Sequence, residues 1–162
     1  MEAVLFILFG AIAVGGAIMV VTRKHPMASA LYLILTLFAV AALFVLRQAH
    51  FLAAIQVIVY AGAIVVLFIF VIMLINVPED RLPVERATTM RVLGVVAAGL
   101  LIIESAVLAR RFGMPRSAGR GEGTVEAVGR ALFTDYLLAF EITSVLLLAA
   151  VIGAITLAKK RI

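Results

Sequence analysis

The sequence predicts an all-α integral membrane protein with five transmembrane helices, and three observations support this fold class. Hydrophobic residues make up 65% of the 162 residues and the mean hydropathy is +1.25, whereas soluble domains are usually about 45–50% apolar. Five apolar stretches are each long enough to cross a bilayer, which takes roughly 20 helical residues. The basic residues lie at the ends of these stretches, where they anchor and orient membrane helices.

The first two predicted helices span about residues 3–21 and 27–46. A short basic link joins them, and Pro26 suits the first turn of the second helix, where a missing backbone N–H costs nothing. Ala11 and Gly15 lie four residues apart in the first helix, and so do Ala13 and Ala17. Small residues at this spacing predict the face on which another membrane helix packs closely.

The third predicted helix spans about residues 52–76 and contains no ionised side chain. Gln56 and Tyr60 lie four residues apart and therefore share one face of the helix. Gly62 lies near the middle, where a water-soluble helix would lose about 1 kcal/mol relative to Ala. A bilayer tolerates such a glycine because it permits close helix packing or a shift in the backbone hydrogen bonds. We therefore predict that this helix is built to deform.

The fourth and fifth predicted helices span about residues 91–109 and 136–158. A charged loop with two prolines, residues 77–86, precedes the fourth helix. The polar loop 110–135 is rich in glycine, which predicts a loosely packed surface segment and no second domain. Residues 1–162 are therefore interpreted as a single membrane domain.

The composition also argues against several classes of function. The chain has no cysteine, which excludes disulfides, thiolate metal sites and cysteine nucleophiles. Its two histidines, His25 and His50, lie beside loops and are interpreted as interfacial residues. The net charge of +5 arises at helix ends and forms no groove suited to nucleic acid. We expect this chain alone to form no haem or zinc site and to bind no nucleic acid.

The distribution of basic residues predicts the orientation in the membrane. Five spans place the termini on opposite sides, and we call the amino-terminal side A and the other side B. Side A holds six Lys and Arg residues and side B holds eight. Most of the six lie in one long loop, where basic residues count less. We expect the amino terminus outside and the carboxyl terminus in the cytoplasm.

The polar groups within the spans lie in one layer near side A. Glu141, Glu104 and Gln56 all lie about five or six residues from the side A ends of their helices. Tyr60 is the most central polar residue, and a charge in hydrocarbon costs at least about 2.5–3.5 kcal/mol. The chain alone therefore cannot form a proton pathway, although it could gate a pathway in its neighbours.

For each polar residue a structural role stays open beside the functional one. Glu141 either extends to the interface and makes a structural hydrogen bond, or lines a hydrated route. Glu104 is better explained as structural, and Gln56 as a hydrogen-bond donor between helices. Tyr60 serves either as a packed interface residue or as a hinge or gate.

Two longer segments and one short one resemble a known family. Residues 55–68 read IQVIVYAGAIVVLF, residues 132–148 read LFTDYLLAFEITSVLLL, and His25-Pro26 is followed by Ala30-Leu31-Tyr32. These resemble the third, fifth and second helices of subunit J of proton-pumping NADH:quinone oxidoreductase, respiratory complex I. The segment 55–68 is highly specific.

The resemblance implies a membrane subunit of the bacterial inner membrane with its amino terminus outside. It would carry none of the FMN, iron–sulfur clusters or quinone that the complex uses. It would lie between the quinone-binding membrane subunit and the antiporter-like pumping subunits, near subunits A and K. It would therefore be a non-catalytic subunit of a proton-translocating enzyme.

The resemblance also implies a π-bulge in the third helix, around the Tyr-Ala-Gly segment. Converting such a bulge to α-helix would rotate the rest of the helix by about 100° and shift it by about 1.5 Å. Bulky side chains would then enter or leave a water path. Some family members have Glu where this chain has Gln56, which weakens the case for acid–base chemistry there. The predicted gate and coupling residues are Tyr60, Gly62, Val65, Val66 and Phe68, and the candidates for the proton route are Gln56 and Glu141.

Two other classes of function stay open on these grounds. The same fold could serve a related cation antiporter, an ion-pumping hydrogenase or another cofactor-linked membrane dehydrogenase, which co-purified partners would distinguish. The chain could also be a purely structural scaffold. In that case changes at Tyr60, Gly62 or Glu141 would affect assembly and leave the activity of the assembled complex intact.

Overall fold

The computed structural model describes residues 1–75, 87–112 and 123–159, and the regular structure in these ranges is entirely helical. In chain order the helices are α1 (Glu2–Thr22), α2 (Pro26–Leu46), α3 (His50–Ile75), α4 (Ala87–Phe112), α5 (Val125–Phe133) and α6 (Leu137–Ala158). Five of them, all except α5, are long and apolar enough to span a membrane. The predicted fold class is confirmed.

The predicted loop 110–135 is wrong in part, because α4 continues to Phe112 and α5 lies within the loop. Thr124 caps α5, since its Oγ1 accepts a hydrogen bond from the backbone N–H of Ala127 at 3.2 Å. Apolar and polar residues occupy different faces of α5, as in a helix lying on a surface. Residues 113–122, the predicted loop 77–86 and the predicted helix end at Asn76 lie outside the described residues.

α1, α2 and α3 pack together as one unit, with α2 between the other two helices. Ala39 and Ala41 are both buried on α2. Because two residues correspond to about 200° around a helix, these alanines lie on nearly opposite sides. Small residues on both sides of α2 let both neighbouring backbones approach closely, which is how membrane helices gain packing energy.

The close contact between α1 and α2 lies at Gly16. A Cβ atom placed there would lie 2.5 Å from Thr36 Oγ1 and 3.5 Å from the carbonyl oxygen of Tyr32. The predicted stripe of Ala11 and Gly15 does not form this contact, since both residues are exposed and a Cβ atom at Gly15 would meet nothing within 4 Å, so its packing against another helix stays a prediction. One residue turns a helix by about 100°, and α1 is apolar on all sides, so its sequence does not mark the packed face.

The other two spans, α4 and α6, have exposed apolar surfaces. Neither α6 nor the segment Val92–Arg111 of α4 contains a buried residue. α6 packs against α5, whose Phe133 ring lies 5.1 Å from the ring of Phe140, centroid to centroid. Because each span crosses the membrane once, the start of α1, the α2–α3 turn and α5 all lie on side A.

We expect Gly16→Ala to destabilise the protein, because the added methyl group would contact Thr36 Oγ1, which itself donates a 2.9 Å hydrogen bond to the carbonyl of Tyr32. Overpacking of this kind typically costs about 1–3 kcal/mol. Gly15→Ala is the matched control, because its methyl group would point into open space. The free energy of unfolding in mixed micelles measures both, and equal losses would contradict the assigned α1–α2 interface.

Candidate functional site

The centre of α3 is a π-helical segment, Gln56–Ile64, between α-helical segments His50–Ile55 and Val65–Ile75. At its start the backbone N–H of Gln56 still donates to the carbonyl of Leu52, four residues back. At its end the N–H of Val65 donates to the carbonyl of Tyr60, five residues back. This longer spacing defines a π-helix, so the predicted π-bulge in the third helix is confirmed.

The π segment is longer than the single-turn bulges common in proteins. Its nine residues contain the whole Tyr60-Ala61-Gly62 sequence. A return to α-helical spacing would rotate everything beyond the segment by about 100° for each residue of register. The segment is therefore a place where a change of hydrogen-bond partners can become a rotation.

Gly62 fits the π segment because it lacks a side chain. A Cβ atom there would lie 3.2 Å from the carbonyl oxygen of Val57, five residues back. This distance is shorter than Cβ atoms usually keep from other heavy atoms. Any larger residue at position 62 would therefore crowd a carbonyl of the π-helical turn.

The predicted gate residues divide into an inward and an outward group. Val65 is only 3% exposed and lies, with Ala61, in the seam where α3 packs on α2. Tyr60, Val66 and Phe68 are about half exposed, at 49%, 43% and 48%. The structure does not bring the five together, because Val66 and Phe68 are two residues apart and point about 200° apart. The side chains of the outward group are exposed, whereas Val65 is packed within this chain.

The polar candidates lie on separate helices. Gln56 begins the π segment and is partly exposed, whereas Glu141 and Glu104 are exposed on α6 and α4. The backbone carbonyl of Glu141 accepts a 2.7 Å hydrogen bond from Ser144 Oγ. Within the part of the chain that the structure describes, no hydrogen bond joins these three side chains. Their assignment to a proton route stays a prediction.

No group of three His, Asp or Glu residues in the described ranges could hold a metal ion. The expectation that this chain binds no cofactor also stays a prediction. Ala61 was not among the predicted gate residues, yet it is 6% exposed and lies in the π segment, which packs on α2. Its only signal was its place between Tyr60 and Gly62.

Comparison of this chain with known proteins identifies its family. Residues 16–157 match the model of the family described as NADH-ubiquinone/plastoquinone oxidoreductase chain 6. The chain belongs to this family. The match extends from α1 to α6 and includes the whole π segment, so it covers the site as well as the fold.

Curated members of the chain 6 family are similar in sequence to this chain over almost its full length. NADH-quinone oxidoreductase subunit J of Pseudomonas aeruginosa is 38% identical over 154 residues, 92% of this chain and 92% of that protein. Subunit J of Escherichia coli is 36% identical, covering 92% and 82% respectively. NAD(P)H-quinone oxidoreductase chain 6 of a Nostoc species is 37% identical, covering 98% and 81%. The resemblance to subunit J is confirmed.

We expect Gly62→Ala to shift the π segment toward α-helix, because the added methyl group would crowd the carbonyl of Val57. A density map of the assembled complex, traced along the backbone from Gln56 to Ile64, would show the change. Gly153→Ala on α6 is the control, since its methyl group would meet open space. An unchanged π segment in the Gly62 variant would show that this glycine is not needed for it.

Proposed function

We propose that this chain is the membrane subunit of an NADH-quinone oxidoreductase that couples quinone reduction to proton translocation, with α3 as a conformational gate and no redox centre of its own. The observation that carries the proposal is the π segment at the centre of α3. It occurs in a chain whose intramembrane carboxylates lie toward side A, away from the middle of the spans. A subunit without a charge at mid-membrane can influence proton movement only through its conformation.

The gate would act by changing the water content of a route formed with neighbouring subunits. Conversion of the π segment to α-helix would rotate Val66 and Phe68 by about 100°. A bulky apolar side chain in the route would exclude water and raise the cost of passing a charge, which is at least about 2.5–3.5 kcal/mol in hydrocarbon. We expect exposed Tyr60 and Phe68 to contact such a route, whereas buried Val65 would act through packing on α2.

The neighbours in this proposal are other membrane subunits of the complex. These are the quinone-binding membrane subunit, subunits A and K and the antiporter-like subunits, while FMN, iron–sulfur clusters and quinone are bound elsewhere. The names of the relatives support membership of such a complex. The open apolar surfaces of α4 and α6 offer the area such partners and lipid would cover. The bacterial relatives support an inner membrane location, and the charge distribution favours an amino terminus outside.

Gly62→Leu in the assembled complex tests the gate. We expect proton pumping linked to quinone reduction to fall strongly, because a side chain at position 62 would crowd the carbonyl of Val57 in the π form. NADH oxidation with an artificial acceptor at the flavin should remain, because that reaction does not need the membrane gate. Gly153→Leu, on the open surface of α6, is the matched control. Normal pumping by a fully assembled Gly62→Leu complex would refute the gate and favour a scaffold.

Glu141→Gln tests the proton route separately from the gate. The amide keeps the shape of the side chain but cannot ionise, so we expect fewer protons pumped per electron if Glu141 lines a hydrated route. Glu104→Gln is the matched control, since Glu104 is also exposed in a membrane span and is interpreted as structural. Equal pumping by the two variants and the wild type would contradict a proton-route role for Glu141 and support a structural one.

A further inference from the structure

A groove opens between the side A ends of α1 and α2. It has a volume of about 290 Å³ and is lined by Glu2, Ala3, Phe6, Ile7, Leu46 and Arg47. Residues 1–8 are all exposed, and half-buried side chains of α1 begin at Phe9. The packed part of the α1–α2 interface, with its close contact at Gly16, therefore begins deeper in the membrane than this groove.

Two opposite charges lie at the mouth of the groove because two helix ends meet there. Glu2 lies in the first turn of α1, where the positive end of the helix dipole favours a carboxylate. Arg47 directly follows the last residue of α2, where the negative end favours a cation. Both side chains are exposed, and within the described ranges no ion pair joins them. The groove therefore presents a negative and a positive group that do not neutralise each other.

The charged and apolar residues of the groove lie at different depths. Phe6 and Ile7 follow Glu2 along α1 by about 6–8 Å, at about 1.5 Å of rise per residue. Phe6 is 55% exposed and Ile7 is 68% exposed. Since α1 begins at Glu2 and spans the membrane, the charges lie at the level of the lipid headgroups and the apolar wall lies in the hydrocarbon. This order of depth is the one that a phospholipid has.

We propose that the groove binds one phosphatidylethanolamine molecule of the side A leaflet. The guanidinium of Arg47 holds the phosphate through charge-assisted hydrogen bonds, for which its planar fork is well suited. The carboxylate of Glu2 accepts a hydrogen bond from the ammonium group of the ethanolamine. An acyl chain lies along Phe6 and Ile7. The inference concerns a surface away from α3 and does not depend on the proposed gate.

The charges of the groove favour this headgroup over other common ones. A choline headgroup has the same charges, but its quaternary ammonium has no N–H to donate to Glu2. A glycerol headgroup carries only the phosphate charge, so it would leave the carboxylate of Glu2 without a cation and close to a like charge. The volume lies near the lower limit of about 300 Å³ for small-molecule sites. It suits a lipid better than a helix of another subunit, which with its side chains is about 10–12 Å across.

Photolabelling of the assembled complex tests the inference. The complex is placed in phosphatidylcholine nanodiscs that contain a small share of phosphatidylethanolamine with a diazirine in its acyl chain. After illumination, mass spectrometry measures the label on each segment of this chain. We expect the label to concentrate in residues 3–7, and the corresponding phosphatidylglycerol and phosphatidylcholine probes to label this segment less.

Variants of the two charged residues test the recognition of the headgroup. We expect Glu2→Gln and Arg47→Gln each to lower the phosphatidylethanolamine label by roughly two- to fivefold, the effect of losing one exposed ion pair. Lys24→Gln, an exposed basic residue at the side B end of α1, is the matched control. The double variant Glu2→Arg/Arg47→Glu should recover most of the label, because a lipid headgroup can turn round whereas a fixed subunit surface cannot.

A variant of the groove wall tests the site with both charges in place. We expect Ala3→Leu to lower the label because the larger side chain fills part of the groove. Ala11→Leu is the matched control, since Ala11 is also exposed on α1 but lies outside the groove. NADH oxidation with an artificial acceptor, together with the co-purified subunits, shows that each variant complex is assembled.

Three results would overturn the inference. Absence of label from residues 3–7 would mean that another subunit covers the groove. Equal labelling by the three lipid probes would mean that lipid touches α1 without recognition of its headgroup. Unchanged labelling in Glu2→Gln and Arg47→Gln would mean that these charges serve only the helix ends.

Discussion

Backbone hydrogen bonding in lipid is the constraint on which the structure of this protein depends. No water is present in the bilayer core to satisfy a free N–H or carbonyl group, so a spanning segment must satisfy its own. The π segment of α3 meets this requirement with bonds to the fifth residue back, as the bond from Val65 to Tyr60 shows. Because an α form would also be fully bonded within the helix, the proposed conversion of α3 would keep its backbone satisfied. It would turn a small change in spacing into a large rotation.

The second constraint is that lipid supplies no hydrophobic drive for helices to associate. Close contact must do this instead, and the buried residues in the described ranges are accordingly small. They are Gly16, Ala30, Ala39, Ala41, Ala53, Ala61 and Val65. A seam of alanines offers few protruding side chains to block one helix turning against another. The packing that holds α3 to α2 is therefore compatible with rotation of the helix.

The number and order of the membrane spans follow from hydropathy alone, because each of the five apolar stretches is long enough to cross a membrane once. The π segment was predictable only through the resemblance, since no local pattern in residues 55–68 distinguishes π from α spacing. The faces of the helices were not predictable. Gly15 and Gly16 are chemically identical, and in a helix that is apolar all round only the tertiary packing selects Gly16.

The site was predictable in its residues but not in their roles. Val65 was grouped with Val66 and Phe68 because all three are bulky. One residue corresponds to about 100° around a helix, so Val65 is buried in the seam with α2 while Val66 is exposed. α5 was overlooked because the glycines around it resemble a loop. Its cap at Thr124 and its alternating faces were the available signals. A Cβ atom at Gly123 would lie 3.1 Å from the Cβ of Ala49. These residues are far apart in the chain, so no local pattern could reveal their contact.

The distribution of polar groups fits one physical requirement of the proposed gate. Such a gate would have to change the hydration of a route without displacing the candidate proton-route residues. Gln56 lies next to His50–Ile55 on side A, and Glu141 lies on α6 close to its junction with α5. Rotation beyond Ile64 would alter only apolar surface, because Val65–Ile75 contains no polar side chain. The polar layer would keep its geometry while the middle of the membrane changes between wet and dry.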